Sequence, residues 1–139
     1  MTEEQKERNR LWVKALRSGD YLQGDGQLHR TDTEPDESFC CLGVACDIAA
    51  QYNEGWHWED AVFRAGRSYS SEEAPHKVGV WFGWPEIGGF RTNVQLPHEG
   101  DHFLASDLND GTTGTTPGSG PLPLTFSQIA DLIEKEFDL

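Results

Sequence analysis

Two amphipathic segments, one near each end of the chain, constrain the fold most because each carries its own helix start signal. The sequence TEEQ at residues 2–5 has the form of a capping box, and apolar residues then recur at helical spacing until Gly19. This pattern predicts a first helix over about Thr2–Ser18. The sequence TFSQ at residues 125–128 is a second capping box, and a strong apolar stripe follows it. We therefore expect a C-terminal amphipathic helix as well.

The segment FCCLGVACDIA, residues 39–49, predicts a third helical element. From Cys41 onward, apolar residues including Tyr52 fall on one helical face, and Gly55 ends the run. The preceding segment DYLQGDGQLHR has turn-forming residues at 24–26 between two short apolar runs, which favours a hairpin. A short extended stretch then leads into the helix.

The middle of the chain is rich in glycine, proline and tryptophan, and its periodicity is ambiguous. The sequence VGVWF at residues 78–82 fits either a strand or a helix that opens at Pro75. Residues 110–121 are dominated by Gly and Thr and predict a flexible loop. We expect one α+β domain over residues 1–139, with an N-terminal helix, a short hairpin or small sheet, a central Cys-containing helix and the C-terminal helix.

The composition predicts a core rich in aromatic side chains. The 139 residues include only 22 Ile, Leu and Val, against seven Phe, five Trp and three Tyr. Four tryptophans form the pairs Trp56 with Trp58 and Trp81 with Trp84. Such rings can build a platform for a base or sugar, but core packing is the favoured interpretation here.

The charge pattern narrows the classes of partner. The net charge of −13 argues against direct nucleic-acid binding and against an anionic membrane surface. Six of the eleven basic residues lie within residues 1–30, so a small anionic ligand is expected to bind there. No apolar stretch reaches the roughly 18 residues of a membrane span, and no secretory signal is visible. We therefore predict a cytoplasmic protein without membrane contact.

The three cysteines raise the question of catalysis. An odd number without a paired framework predicts free thiols. Cys40 and Cys41, at a helix start, could supply a nucleophile with one of five histidines, which would make the protein a cysteine-dependent hydrolase or transferase. Core packing is the alternative that we favour, because cysteine is among the most frequently buried residues.

No metal or other cofactor is predicted. The string HEGDH at residues 98–102 matches the zinc motif HExxH, but Pro97 precedes it and a glycine interrupts the helix that the motif needs. No CxxC pair occurs either. We therefore expect neither metal nor cofactor at this string.

Polar residues at turns and helix ends are the candidate ligand contacts. They could hold a phosphate and the edge of a base or sugar, with the amino terminus of the Cys41 helix open to an anion. The alternative is that they only cap helices and turns. The six candidates are Arg17, Gln23, Arg30, Cys41, Asn109 and Asp110.

Four sequence blocks resemble a family of small uncharacterised proteins of tailed bacteriophages and prophages: ALRSGDYLQGDGQL, FCCLGVACDIA, LNDG and LTFSQIADLIEKEF. The resemblance implies a phage accessory protein in the cytoplasm of an infected bacterium, without an established activity. In that context we expect a non-catalytic binding module that sequesters a small nucleotide-like ligand to counter host defence. The alternatives are the cysteine-dependent enzyme and an acidic DNA mimic that occupies a host protein.

Overall fold

The computed structural model describes residues 1–24, 27–30, 37–85, 91–93, 102–104 and 124–139. Four helices occur within these ranges, and none of them is long and apolar enough to cross a membrane. The predicted α+β class is confirmed. The helices are α1 (Glu3–Arg17), α2 (Cys41–Tyr52), α3 (His76–Phe82) and α4 (Phe126–Phe137).

The strands of the described ranges are short and pair with one another in antiparallel fashion, and an isolated parallel bridge joins Gln23 to Phe39. One pair places His29 opposite Phe39, a three-stranded meander follows α2, and a last pair joins residues 91–93 to 102–104. The strands are β1 (His29–Arg30), β2 (Ser38–Phe39), β3 (His57–Glu59), β4 (Val62–Ala65), β5 (Ser68–Ser70), β6 (Arg91–Asn93) and β7 (His102–Leu104).

Both predicted capping boxes are present. Thr2 accepts a hydrogen bond from the backbone of Gln5, whose side chain accepts one from the Thr2 backbone. Thr125 and Gln128 form the same reciprocal pair at the start of α4. The structure thus confirms the two helix starts that the sequence predicted.

Within the described residues 21–24 and 27–28, the two arms of the predicted hairpin do not pair with each other. The two arms instead lie on either side of Phe39: Leu22 and Gly24 exchange backbone hydrogen bonds with Phe39, while the Leu28 carbonyl accepts from Cys40. The extended stretch before α2 therefore pairs with these arms along both of its edges, which satisfies backbone groups of Phe39 and Cys40. The ambiguous residues 78–82 belong to helix α3, and the helical alternative opening at Pro75 is confirmed.

The core lies between α1, α2, α3 and α4 and is as aromatic as the composition predicted. Trp12, Phe82 and Trp84 pack as one cluster, with Trp12 and Trp84 ring centroids 4.9 Å apart. Buried Asn9 joins this cluster, donating to the Phe82 carbonyl at 2.8 Å and accepting from Trp84 Nε1 at 2.9 Å. The core is completed by α4, which packs against α1 and buries Ile129, Ala130 and Ile133.

Two predictions fall largely outside the described residues. The predicted loop over 110–121 is one of them. The other is the HExxH string, of which only His102 is described, as the first residue of β7 rather than part of a helix.

Candidate functional site

The three cysteine side chains lie in the protein core. Cys40 is 3% exposed, and Cys41 and Cys46 are completely buried. Cys40 caps α2, because its sulfur accepts the backbone N–H of Gly43 at 3.4 Å. Burial raises the pKa of the Cys46 thiol well above its ordinary value, and the neighbouring Cys40 and Asp47 act in the same direction. A protonated, inaccessible thiol is a poor nucleophile.

We expect the thiols to resist modification in the native state. Ellman's reagent added to folded protein at neutral pH should react with a small fraction of the sulfur, and addition of denaturant should release the full stoichiometry of three. Rapid reaction of any one thiol with the folded protein would contradict this expectation and would revive the cysteine-dependent enzyme.

Two of the candidate ligand residues hold α4 in place. Arg17 forms ion pairs with Asp131 at 2.5 Å and with Glu134, and hydrogen bonds to Glu134 and Asp131 raise the pKa of its guanidinium. Gln23 binds the start of the same helix, donating to the Leu124 carbonyl at 2.8 Å and accepting from the Phe126 N–H at 2.9 Å. Both side chains therefore join α1 and the following segment to α4.

The other four candidates are not brought together with these two as one described site. Arg30 lies in β1 and has an interaction partner. Cys41 is buried, and its carbonyl accepts from Trp12 Nε1 at 2.9 Å. The first turn of α2 is buried as well, so the expectation that this helix start is open to an anion is wrong. Asn109 and Asp110 lie outside the described residues.

A groove between α1 and α2 brings a different set of polar side chains together. It has a volume of about 240 Å³ and opens to the surface at the carboxyl end of α1. Lys14 and Gln51 supply a cation and an amide, and Tyr52, which is 60% exposed, supplies an aromatic ring. The α1–α2 groove is lined by Leu11, Lys14, Ala15, Ser18, Asp20, Tyr21, Ile48, Gln51 and Tyr52.

Tyr21 is fixed in the wall of the α1–α2 groove. Its hydroxyl donates to Asp47 Oδ2 at 2.6 Å, while Trp58 Nε1 donates to Asp47 Oδ1 at 3.1 Å. Partial burial raises the pKa of Tyr21, and the hydrogen bond to Asp47 raises it further. Tyr21 therefore presents a rigid ring with a neutral hydroxyl, and this hydroxyl donates its hydrogen bond to Asp47 rather than to a ligand.

Tyr52 stands at the end of a stack of flat groups. Its ring stacks on Trp81 with centroids 6.0 Å apart, and the Arg8 guanidinium lies 4.6 Å from the Trp81 ring centroid. Arg8 also donates to the Trp81 carbonyl at 2.9 Å. A supported but largely exposed aromatic ring is a suitable platform for a second planar group.

A second groove lies on the other side of α1, where this helix meets the end of α4. It has a volume of about 490 Å³. Lys14 and Ser18 line this groove as well as the first, so the two grooves adjoin at the last turn of α1. The α1–α4 groove is lined by Arg10, Val13, Lys14, Arg17, Ser18, Glu134 and Leu139.

Lys14 differs from its basic neighbours on α1. Arg10 pairs with Glu7 at 3.0 Å, and Arg17 pairs with two acids of α4. Lys14 is exposed and has no ion-pair partner within the described part of the chain. Among the cations that line the two grooves, Lys14 is thus the one whose charge is available to a ligand.

Sequence reasoning missed the residues of this site for identifiable reasons. Lys14 was one of six basic residues in the first 30, and nothing in the sequence separated it from the paired arginines. Tyr52 was assigned to the buried face of α2, but it lies in the last turn, where that face leaves the core.

In the described residues no cluster of three His, Cys, Asp or Glu side chains could hold a metal ion.

Comparison with known proteins gives one family match. The family model described as "Domain of unknown function (DUF8296)" matches residues 1–137. No curated protein and no solved structure matches the chain.

Proposed function

This chain belongs to the DUF8296 family, and we propose that it is a non-catalytic binding module that sequesters a small nucleotide-like anion in the α1–α2 groove. The observation that carries the proposal is that Lys14, which has no ion-pair partner among the described residues, meets the exposed Tyr52 ring in one groove. An ammonium and an aromatic face are the two groups that bind the phosphate and the base of a nucleotide.

The neighbouring groups support binding rather than catalysis. The thiols are buried, so none of them lines the groove. The Tyr21 hydroxyl donates to the Asp47 carboxylate, but burial and this hydrogen bond raise the pKa of the phenol and so disfavour the phenolate nucleophile. The Ser18 hydroxyl donates to the Ala15 carbonyl at 2.7 Å, which is not a base that could activate it. Lys14 and Gln51 can orient an anion without transferring a group to or from it.

The resemblance to tailed-phage proteins supplies the biological part of the proposal. A small phage protein that removes a nucleotide signal from an infected bacterium would counter a host defence without needing turnover. The expected location is the bacterial cytoplasm, where such nucleotides are made.

A thermal-shift experiment with AMP tests the binding step. AMP at a hundred times its dissociation constant should stabilise the folded protein by about 2.7 kcal/mol, because it binds the native state only. AMP should be recovered chemically unchanged after heat denaturation. Turnover of AMP would instead favour the hypothesis of a cysteine-dependent enzyme. Co-purification of a host DNA-binding protein that high salt removes would favour the acidic DNA mimic.

Two pairs of variants locate the site. Lys14→Gln should weaken AMP binding by about 1.5–3 kcal/mol, the usual value of a hydrogen bond to a charged group. Its control is Lys135→Gln, since Lys135 is also an exposed lysine in the last turn of a helix but lines neither groove.

Tyr52→Ala should also weaken binding, by about 1–3 kcal/mol for a lost ring stack. Tyr69→Ala is its control, because Tyr69 is 66% exposed and lies on β5 away from both grooves. Equal losses in the test and control variants would place AMP elsewhere and refute the site.

A further inference from the structure

The two grooves beside α1 adjoin at the same residues. Lys14 and Ser18 line both the α1–α2 groove and the α1–α4 groove. A ligand that fills only one of them leaves the other open. A ligand with two arms can occupy both, provided that the group between its arms lies at Lys14.

The charges around this junction specify what that central group is. Arg10 is neutralised by Glu7, and Arg17 by Asp131 and Glu134. Lys14 is therefore the cation of the described groove walls that has no ion-pair partner, while Asp20 and the second acid on Arg17 add negative charge around it. The protein as a whole carries −13, so each additional negative charge on a ligand is repelled. One phosphate with one negative charge matches this site better than a polyphosphate.

The α1–α4 groove suits an uncharged arm. Val13 and Leu139 give it apolar walls, and the Glu134 carboxylate is a hydrogen-bond acceptor that favours the hydroxyl and amino donors of a nucleoside over a second phosphate. The flat Arg10 guanidinium is a group on which a base can stack. Its volume of about 490 Å³, against about 240 Å³ for the α1–α2 groove, leaves room for a whole nucleoside.

We propose, as an extension that rests on the proposed function, that the ligand is a dinucleotide with one bridging phosphodiester. One nucleoside stacks on Tyr52 in the α1–α2 groove, the phosphodiester lies at Lys14, and the second nucleoside occupies the α1–α4 groove. The ligand class is defined by two nucleosides and one negative charge.

Isothermal titration with three probes tests this ligand class: the dinucleoside monophosphate ApA, AMP and ATP. ApA should bind at least about tenfold more tightly than AMP, because its second arm adds contacts and it carries less charge. ATP should bind no more tightly than AMP. If AMP binds and ApA binds no better, the extension is wrong while the proposed function stands; if neither binds, both are wrong.

A substitution in the α1–α4 groove provides an independent test of the two-groove arrangement. Leu139→Ser should remove most of the advantage of ApA and leave AMP binding unchanged, since Leu139 lines only the α1–α4 groove. Leu22→Ser is the matched control, because Leu22 is 55% exposed and lines neither groove. An unchanged ratio of the two affinities in Leu139→Ser would overturn the two-groove arrangement even if ApA binds tightly.

Discussion

Gly43→Ala is expected to prevent stable folding. Gly43 lies in the first turn of α2, and a β-carbon at this position would come 1.8 Å from the Leu28 carbonyl oxygen and 2.7 Å from its carbon. The obstacle is backbone, and Leu28 is tied on both sides: its N–H donates to Ser71, and its carbonyl accepts from Cys40. The loss should exceed the roughly 1–3 kcal/mol of ordinary overpacking and remove much of the ~5–15 kcal/mol that stabilises a typical domain.

Gly79→Ala is the control for this experiment. Gly79 is also a helical glycine, but its added β-carbon would meet only Trp84 at 3.7 Å, an ordinary contact distance. Alanine should therefore be neutral there or stabilise the protein by about 0.5–1 kcal/mol through helix propensity. Urea unfolding followed by circular dichroism measures both. Equal stability of Gly43→Ala and the parent would show that α2 does not pack on Leu28 as described.

Trp12→Ala should produce the second large loss of stability. The ring is completely buried, lies 4.9 Å from Trp84 and 5.8 Å from Phe82 between centroids, and donates to the Cys41 carbonyl. Truncation of a buried tryptophan costs about 3–5 kcal/mol through lost burial and the cavity that remains. The same urea titration should therefore show a much lower midpoint.

Trp12→Phe separates the two contributions of this side chain. Phenylalanine keeps most of the apolar ring but leaves the Cys41 carbonyl without the indole donor, which should cost about 1–3 kcal/mol. Trp81→Ala is a further comparison, since Trp81 is only partly buried and should cost less than Trp12. Similar losses in Trp12→Ala and Trp81→Ala would contradict the position of Trp12 at the centre of the core.

The sequence was sufficient for elements whose signals are local. The capping boxes at Thr2 and Thr125 predicted the starts of α1 and α4, because the reciprocal bonds join residues only three positions apart. The apolar spacing after Cys41 predicted α2 for the same reason. Contacts of this kind are contained in a short window of the chain.

The pairing around Phe39 and the groove residues depend on distant parts of the chain. The backbone at Phe39 is paired along both of its edges, and its partners lie ten or more residues away in the sequence. Turn-forming residues alone therefore could not predict which strand the segment before β1 pairs with. Arg17 and Lys14 are both cations in the last turn of α1, and the sequence does not show that the packing of α4 pairs Arg17 with two acids. Which cation stays available is therefore decided by tertiary structure.

The packing of α4 on α1 also determines the order in which this protein can be assembled. The ion pairs of Arg17 join residues 114 and 117 positions apart, and Gln23 bonds residues 101 and 103 positions away. Closing so long a loop costs conformational entropy, and the ion pairs and hydrogen bonds offset this cost only after the loop has closed. A ribosome adding roughly 5–20 residues per second exposes the apolar face of α1 for several seconds before α4 exists. During each round of synthesis, the part of that face that α4 covers in the folded protein stays open to chaperones and to aggregation.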